Sequence, residues 1–525
     1  MIRFKQLFNE GIEDFEPQWK DALSKSEELR VGVDLMKHLK QNFSGEIYIV
    51  GGVPRDILMG GEIDDVDLAT NMNIKELSKK FSINEISKDD SQPVYTIKWK
   101  KYNFDLASFR IDSGGVGRQN NIPTTTDSFE ADSARRDATL NAFGIDETGK
   151  IFDYQGGLDD LKNKIIRAVG DPKKRFQEDA TRILRIFRFA AKTGFDIDPK
   201  TFESAKELKH LLSDSNAISV ESIAKEFYKS AKSGKTLMLF MQKLLEAGIL
   251  QDILPELTNM EGFTHNPKHH PEGGSTVIGH IFECLRVSPY TDPVINLAVA
   301  FHDLGKATTR GEKDGYSTYY GHEGAGEHIV RDLFNRLKFN ELDAQDKKNI
   351  LLATKSHMLI HNINELSIKK LKEIVLNDGW DILVAVGYCD EASRGEGMFD
   401  AQAFREKIAN AENKVKSAVG GTQDEARKKI KQYIDGEKLM NWFPNLRQNA
   451  QLIGQILPKI QDHILEELAN GREPTDVEIK NLATSLYNSV YQKSYKDDGD
   501  LIWEAYSNKS SLPPINPKLL QHNTV

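Results

Sequence analysis

The chain has 525 residues, 39% of them hydrophobic and 28% charged, with a formal net charge of −9. That length exceeds one ordinary core and predicts two to four domains of ordinary soluble composition. The acidic balance excludes a nonspecific coat on nucleic acid, although a local basic patch can still face RNA.

No run of eighteen apolar residues occurs, so no membrane span is expected. The opening MIRFKQLFNEGIEDF mixes acids with apolar residues and lacks a signal-peptide core. Cys284 and Cys389 are the only cysteines, which argues against a disulfide scaffold and fits a reducing compartment, the cytoplasm.

In chain order, residues 1–40 predict one or two helices. GEIYIVGG predicts a strand ending in a glycine turn, and RDILMGG a helical piece closed by Gly60 and Gly61. DDVDLAT reads as the next strand, and PVYTIKWKKYNFDLASFR as two more joined at Lys100 and Lys101. The chain loosens through IDSGGVGRQNNIPTTTDS. From Phe129 to Lys200 come shorter elements and a long amphipathic helix starting near Gln177. Beyond it the pattern is almost wholly helical, with polar connections near 257–275, 307–321 and 391–402 and no internal repeat. The expected class is α+β: a small mixed head on a long α-helical body.

The head contains GGVPRDILMGGEIDDVDLAT. In a strand, residues two apart share a face, so Asp65 and Asp67 are expected to project together. Such a pair repels itself unless a hard cation such as Mg²⁺ uses both as oxygen ligands. Asp105, on another expected strand, supplies a third carboxylate. Ions held this way can activate a 3′-hydroxyl and stabilise a departing pyrophosphate. Gly51 and Gly52 let backbone amides approach a triphosphate, and Arg55 can neutralise part of its charge. Taken singly, D-x-D is common at solvated strand ends and G-G at turns; order and close spacing favour chemistry. Asp64 falls on the opposite phase and reads as a solvated acid.

This stretch resembles the signature of the polymerase beta-like nucleotidyltransferase superfamily. More narrowly, it is similar to the head of class II CCA-adding tRNA nucleotidyltransferases and bacterial poly(A) polymerases. The resemblance implies that Asp65 and Asp67 hold the metals, with Asp105 third and Arg110 following it in FDLASFRID. ARRDATLNAFGID resembles the family's second motif, R-R-D-x-x-x-N-A. Arg135 and Arg136 offer donor forks to phosphate. Asn141 suits a ribose hydroxyl, and Asp137 an arginine-orienting role. IFDYQGGLDDL resembles a hinge between head and neck, where Asp153, Asp159 and Asp160 serve either as its acids or as turn and capping groups. The stretch around Gly156 and Gly157 needs unusual dihedrals or close backbone approach.

In QEDATRILRIFRFAAKTGF, Asp179 and Arg182 fall three apart, on one expected helical face. The first can accept from a base amino group and the second can donate to the adjacent ring acceptor, a pattern that cytosine and adenine offer. A plain salt bridge is the alternative. The resemblance implies that this E-D-x-x-R motif reads CTP and ATP, with Glu178 orienting Arg182. Residues 162–200 carry eleven Lys or Arg against five Asp or Glu. Lys173, Lys174, Arg175, Arg185 and Arg188 among them suit an RNA backbone or simply a solvated helix surface.

A second chemistry is expected in the body. His280 lies in HHPEGGSTVIGHIFECLRV, and adjacent His302 and Asp303 end VINLAVAFHD. A buried His-Asp pair needs partners, which a metal supplies. Asp390, in VAVGYCDEASRG, can return as a fourth ligand. The order H…HD…D resembles the HD phosphohydrolase superfamily and the HD domains fused to bacterial CCA-adding enzymes. That resemblance brings Lys306 near a phosphate and has His322 and His357 binding a second metal or positioning substrate. His269, His270 and His361 read as surface or hydrogen-bonded histidines. The implied activity is a 2′,3′-cyclic phosphodiesterase, a 2′-nucleotidase or a phosphatase.

The expected organisation is an extension (1–30), head (31–160), neck (161–255), HD domain (256–400) and helical tail (401–525). The implied function is template-independent CCA addition to tRNA with Mg²⁺, CTP and ATP. The partner is the tRNA acceptor end, without membrane or DNA, and a transition metal suits the HD domain. Alternatives are a poly(A) polymerase, a CC-only or A-only enzyme, or an RNA-binding scaffold with dead sites. The last 29 residues lack the basic tail that poly(A) polymerases of this family tend to carry, and the HD pair is intact, both of which favour CCA addition.

Overall fold

The computed structural model describes residues 15–63, 65–85, 94–112, 123–264, 276–313, 316–395, 397–419, 430–444, 446, 450–469 and 472–489. Asp64, His269 and His270 lie outside them. The described residues form two units, those within 1–361 and 381–400 and those within 362–380 and 401–525. No helix among the described residues is long and apolar enough to cross a membrane.

The first unit opens with helices α1 (Glu16–Lys25) and α2 (Glu27–Asn42). Ser26 separates them, its side chain accepting from the Leu29 amide as the cap of α2. Strand β1 (Ile47–Val50) is buried throughout and runs into helix α3 (Gly52–Met59), which Gly60 ends in the left-handed conformation. Strands β2 (Asp67–Thr70), β3 (Ile83–Glu85), β4 (Val94–Trp99) and β5 (Tyr102–Ser108) follow. With β6 (Gly144–Ile145) and β7 (Ile151–Phe152) they make one seven-stranded sheet in the order β3-β4-β5-β2-β1-β6-β7. Its decisive pairing is β2 beside β5, parallel, with Leu68 opposite Leu106. Helix α4 (Phe129–Ala134) and helix α5 (Gly157–Asn163) flank the later strands. Asp153 accepts from the amides of Gly157 and Leu158 and so caps α5.

The expected single helix from Gln177 is two helices, α6 (Pro172–Glu178) and α7 (Thr181–Thr193). Asp179 is extended between them, and its Oδ1 accepts from the Thr181 amide at 2.9 Å. An Asp bonded to the backbone two residues on competes with helix continuation, which is the physical reason for the break. On α7 the expected apolar stripe is fully buried: Ile183, Phe187 and Ala190 are each 0% exposed. It packs on helices α8 (Val220–Ser230) and α9 (Gly234–Glu246).

Helices α10 (Val277–Val287), α11 (Pro293–Phe301), α12 (His322–Leu337), α13 (Ala344–His361) and α14 (Trp380–Ala392) carry the histidine-rich part of the chain. The expected polar connection at 307–321 contains an antiparallel pair, Gly311–Lys313 against Tyr316–Thr318. One hydrophobic core runs from Phe15 to Cys389 through this unit. The second unit has its own core, in which Ile456, Ile460 and Ile464 of helix α16 (Ala450–Ala469) pack near Leu439 and Ile479; α15 (Ala401–Val419) precedes it.

Candidate active site and metal cluster

The parallel β2–β5 ladder decides the geometry of the head carboxylates. Leu68 pairs with Leu106, so Asp67 and Asp105 sit one step earlier on neighbouring strands and on the same face. Asp65 does not share the strand as expected; β2 begins at Asp67, and Asp65 is exposed just ahead of it. The three still act on one another. Burial, then Asp105 and Asp65, push the Asp67 carboxyl up to about 6. Burial and Asp65 likewise raise Asp105. Convergent carboxylates that resist ionising together are the donor set a hard divalent cation fits. Gly51 makes room for them: its φ is 76°, and a Cβ there would lie 2.9 Å from Asp67 Oδ2. No larger residue suits that position.

The arginines are arranged around an acid that the sequence did not single out. Asp132, fully buried in the first turn of α4, takes Arg135 on Oδ1 at 2.7 Å and Arg136 on Oδ2 at 2.9 Å. The Arg110 amide also donates to Asp132 Oδ1, and burial lowers the Arg110 guanidinium to about 10. Asp137 orients an arginine, as expected: Arg185 reaches its Oδ2 at 2.5 Å.

Arg55 differs from its expected phosphate-facing role. It is 4% exposed, grips Asp56 through Nε and Nη2 at 2.9 Å each, and donates from Nη1 to Asn141 Oδ1 at 2.7 Å. Asn141 in turn donates to Asp137 Oδ1. Both side chains are therefore engaged inside the head, tying α3 to the second motif.

Arg182 is held from four sides. Its guanidinium meets Glu178 at 2.8 Å and Asp112 at 2.9 Å, and donates to the Arg175 and Arg135 carbonyls. Glu178 orients Arg182 as expected, whereas Asp112 was not foreseen. Because of the helix break, Asp179 and Arg182 share no helical face; the Arg182 amide instead bonds the Asp179 carbonyl at 3.1 Å.

The second cluster gathers His280, His302, Asp303, His322, His357 and Asp390, each less than a tenth exposed. Nδ1 of His302, His322 and His357 lies 2.7–2.8 Å from the carbonyls of Val299, Tyr319 and Thr354. A carbonyl only accepts, so each Nδ1 carries the proton and each Nε2 presents a lone pair. The Nε2 atoms of His322 and His357 then face each other at 3.2 Å. His302 Nε2 and Asp303 Oδ1 are buried with no hydrogen-bond partner. Such an assembly calls for a cation at its centre, and imidazole with carboxylate suits a transition metal.

His280 reaches Asp390 Oδ1 at 3.1 Å, and Asp303 is tied to Lys306 at 2.5 Å. His361 is the expected hydrogen-bonded histidine, with Nε2 on Asp390 Oδ2 at 2.8 Å. Gly305 lets α12 approach: a Cβ there would lie 1.9 Å from the His322 carbonyl oxygen.

A family model described as the Poly A polymerase head domain matches residues 47–167. A "Multifunctional CCA protein" of Acinetobacter baumannii (strain AYE) is 33% identical over 331 residues, 61% of this chain and 76% of that protein. The chain belongs to the family of CCA-adding nucleotidyltransferases and poly(A) polymerases. A "CCA-adding enzyme" of Lactobacillus helveticus (strain DPC 4571) is 35% identical over 209 residues, covering 40% of this chain and 51% of that protein. The crystal structure of the Bacillus stearothermophilus CCA-adding enzyme in complex with CTP shares the fold. Its TM-score is 0.51 at 20% identity, over 89% of this chain and 100% of that one.

The raised Asp67 carboxyl gives this member of the CCA-adding family a testable metal dependence on pH. Its folded value, about 6, lies above the ordinary 3.8. Between those values the metal-free protein holds a proton that the unfolded chain does not, so this group's contribution to stability falls as pH rises through the window. A divalent ion must displace that proton. Magnesium affinity at the head should therefore fall by up to about tenfold per unit as pH drops below 6. Competition with Mn²⁺, read by electron paramagnetic resonance, measures it.

Proposed function

We propose that this chain adds CCA to the 3′ end of tRNA, using CTP and ATP and releasing pyrophosphate. The observation that carries the reading is the convergence of Asp65, Asp67 and Asp105 at the parallel β2–β5 ladder, with Asp67 raised to about 6 by burial and its acidic neighbours. Mg²⁺ held by these residues supplies positive charge to the triphosphate and to the attacking hydroxyl. Gly51 and Gly52 leave the backbone open to phosphate oxygens. Arg135 and Arg136, locked by Asp132, present fixed forks to the same anion. Arg182, braced by Glu178, would read a base edge by exchanging one of its present partners for the base, with Asp179 the acceptor. Arg55 and Asn141 hold the second motif against α3 and position the ribose side of the site. The exposed Lys173 and Lys174 of α6 suit the acceptor-end backbone, whereas Arg188 of α7 is taken up by buried Glu226 at 2.5 Å. The test is pyrophosphate release from CTP with Mg²⁺ and tRNA lacking its 3′ end. Release is expected; none with any RNA acceptor defeats the proposal.

The body adds a phosphohydrolase centre for RNA ends, in which His280, His302, Asp303 and Asp390 hold a transition metal, with His322 and His357 alongside. The orphaned Nε2 of His302 supports it. His302→Ala combined with Asp303→Ala should abolish hydrolysis of 2′,3′-cyclic phosphate and 2′-phosphate substrates while leaving CCA addition mostly intact. Circular dichroism must accompany the assay, because a buried metal also stabilises its fold.

A further inference from the structure

Cys284 faces the same cluster. It lies one helical turn after His280 on α10, fully buried, with Sγ 3.5 Å from His280 Nε2. One ligand atom from each of His280, Cys284, His302 and Asp390 lies within 4.8 Å of those from the other three. A tetrahedral ion with metal–nitrogen bonds of about 2.0–2.1 Å and a metal–sulfur bond of about 2.3 Å sets its N and S ligands about 3.6 Å apart. The His280–Cys284 pair is already at that separation.

We propose that Cys284 is a thiolate ligand of the metal held by His280, His302 and Asp390. This rests on the reading of the cluster as a metal centre and names the ligand set and metal class of that centre.

An independent observation points the same way: His302 Nε2 is a buried acceptor aimed into this group with no hydrogen-bond partner. The Ser393 hydroxyl donates to the Asp390 carbonyl at 2.7 Å, so its oxygen accepts from His280 Nδ1 at 3.2 Å, and His280 Nε2 turns to Asp390 Oδ1 at 3.1 Å and Cys284 Sγ at 3.5 Å.

Asp303 Oδ2 lies 3.4 Å from His302 Nε2 and 3.8 Å from His280 Nε2, so that carboxylate stays beside the ion and Cys284 adds a soft donor to the set. On binding, the S–H bond breaks, the proton leaves to solvent and the sulfur lone pair forms the bond to the metal. A thiolate among imidazoles favours zinc, cobalt or iron(II) over magnesium or manganese.

The alternative is that Cys284 merely fills the core, as free cysteines often do. Titrating the full-length, metal-stripped protein with cobalt(II) chloride separates the two by absorption spectroscopy. A near-ultraviolet thiolate-to-cobalt charge-transfer band is expected in the wild type and in Cys389→Ser, and is lost in Cys284→Ser. That variant should bind cobalt about 10- to 100-fold more weakly. Cobalt held by the oxygen ligands of the head gives no such band. Visible cobalt bands without the charge-transfer band in the wild type would overturn the thiolate while leaving the metal centre in place. A band that persists in Cys284→Ser would overturn it too. Absence of tight cobalt binding would defeat both readings. The wild-type spectrum decides even where a variant fails to fold.

Discussion

Asp67→Ala should reduce nucleotide addition by about a thousandfold or more while leaving tRNA affinity nearly unchanged. Asp67 opens β2, pairs with Val50 of β1, adjoins Asp105 through the parallel ladder and lies against Gly51. Removing it deletes a ligand of the ion that stabilises charge in the transition state, an effect of several kcal/mol. Binding of tRNA depends on distributed backbone contacts and should be insensitive. Filter binding beside a CTP incorporation assay separates these effects. The substitution also relieves repulsion, so the variant should be no less stable than the wild type in the absence of metal. Near-normal turnover by Asp67→Ala would remove the central assignment.

Arg182→Ala should lose discrimination as well as rate, with UTP and GTP incorporation rising relative to CTP. Its guanidinium is positioned by Glu178, Asp112 and two backbone carbonyls, and a base that matches it must replace one of these partners. The same contacts predict a second consequence. Alanine would leave Glu178, which is 2% exposed, with Arg175 at 2.8 Å but without its second arginine. Stability should fall by about 1–3 kcal/mol, the usual cost of leaving a buried acceptor short of a partner. Thermal unfolding measures that loss, and misincorporation is scored at a temperature where the variant remains folded. Unchanged selectivity at reduced rate would make Arg182 purely structural.

The head was legible because its chemistry is carried by short local patterns. Asp67 and Asp105 were each legible as strand residues and Gly51 as the turn before α3, but the period-two pairing of Asp65 with Asp67 fails because β2 begins at Asp67. The HD order was equally legible, since His302 and Asp303 follow an apolar run that buries them. What escaped depends on contacts between distant segments. Arg55 looked free for phosphate because Asn141, its partner, is 86 residues away. Asp132 looked like an ordinary acid in the first turn of a short helix, yet it anchors both arginines of the second motif. Asp112 reaches Arg182 across 70 residues. The break at Asp179 did have a local signal, an Asp able to bond the backbone two residues on, but the strong apolar period of α7 concealed it. The pair at 311–318 was hidden by its shortness and polarity.

The most direct measurement supplies the full-length protein with tRNA ending before its CCA, Mg²⁺ and all four nucleoside triphosphates, then sequences the RNA 3′ ends. The account predicts two cytidines and one adenosine followed by termination. Long adenosine tails, or products ending after CC or after a lone A, would contradict it.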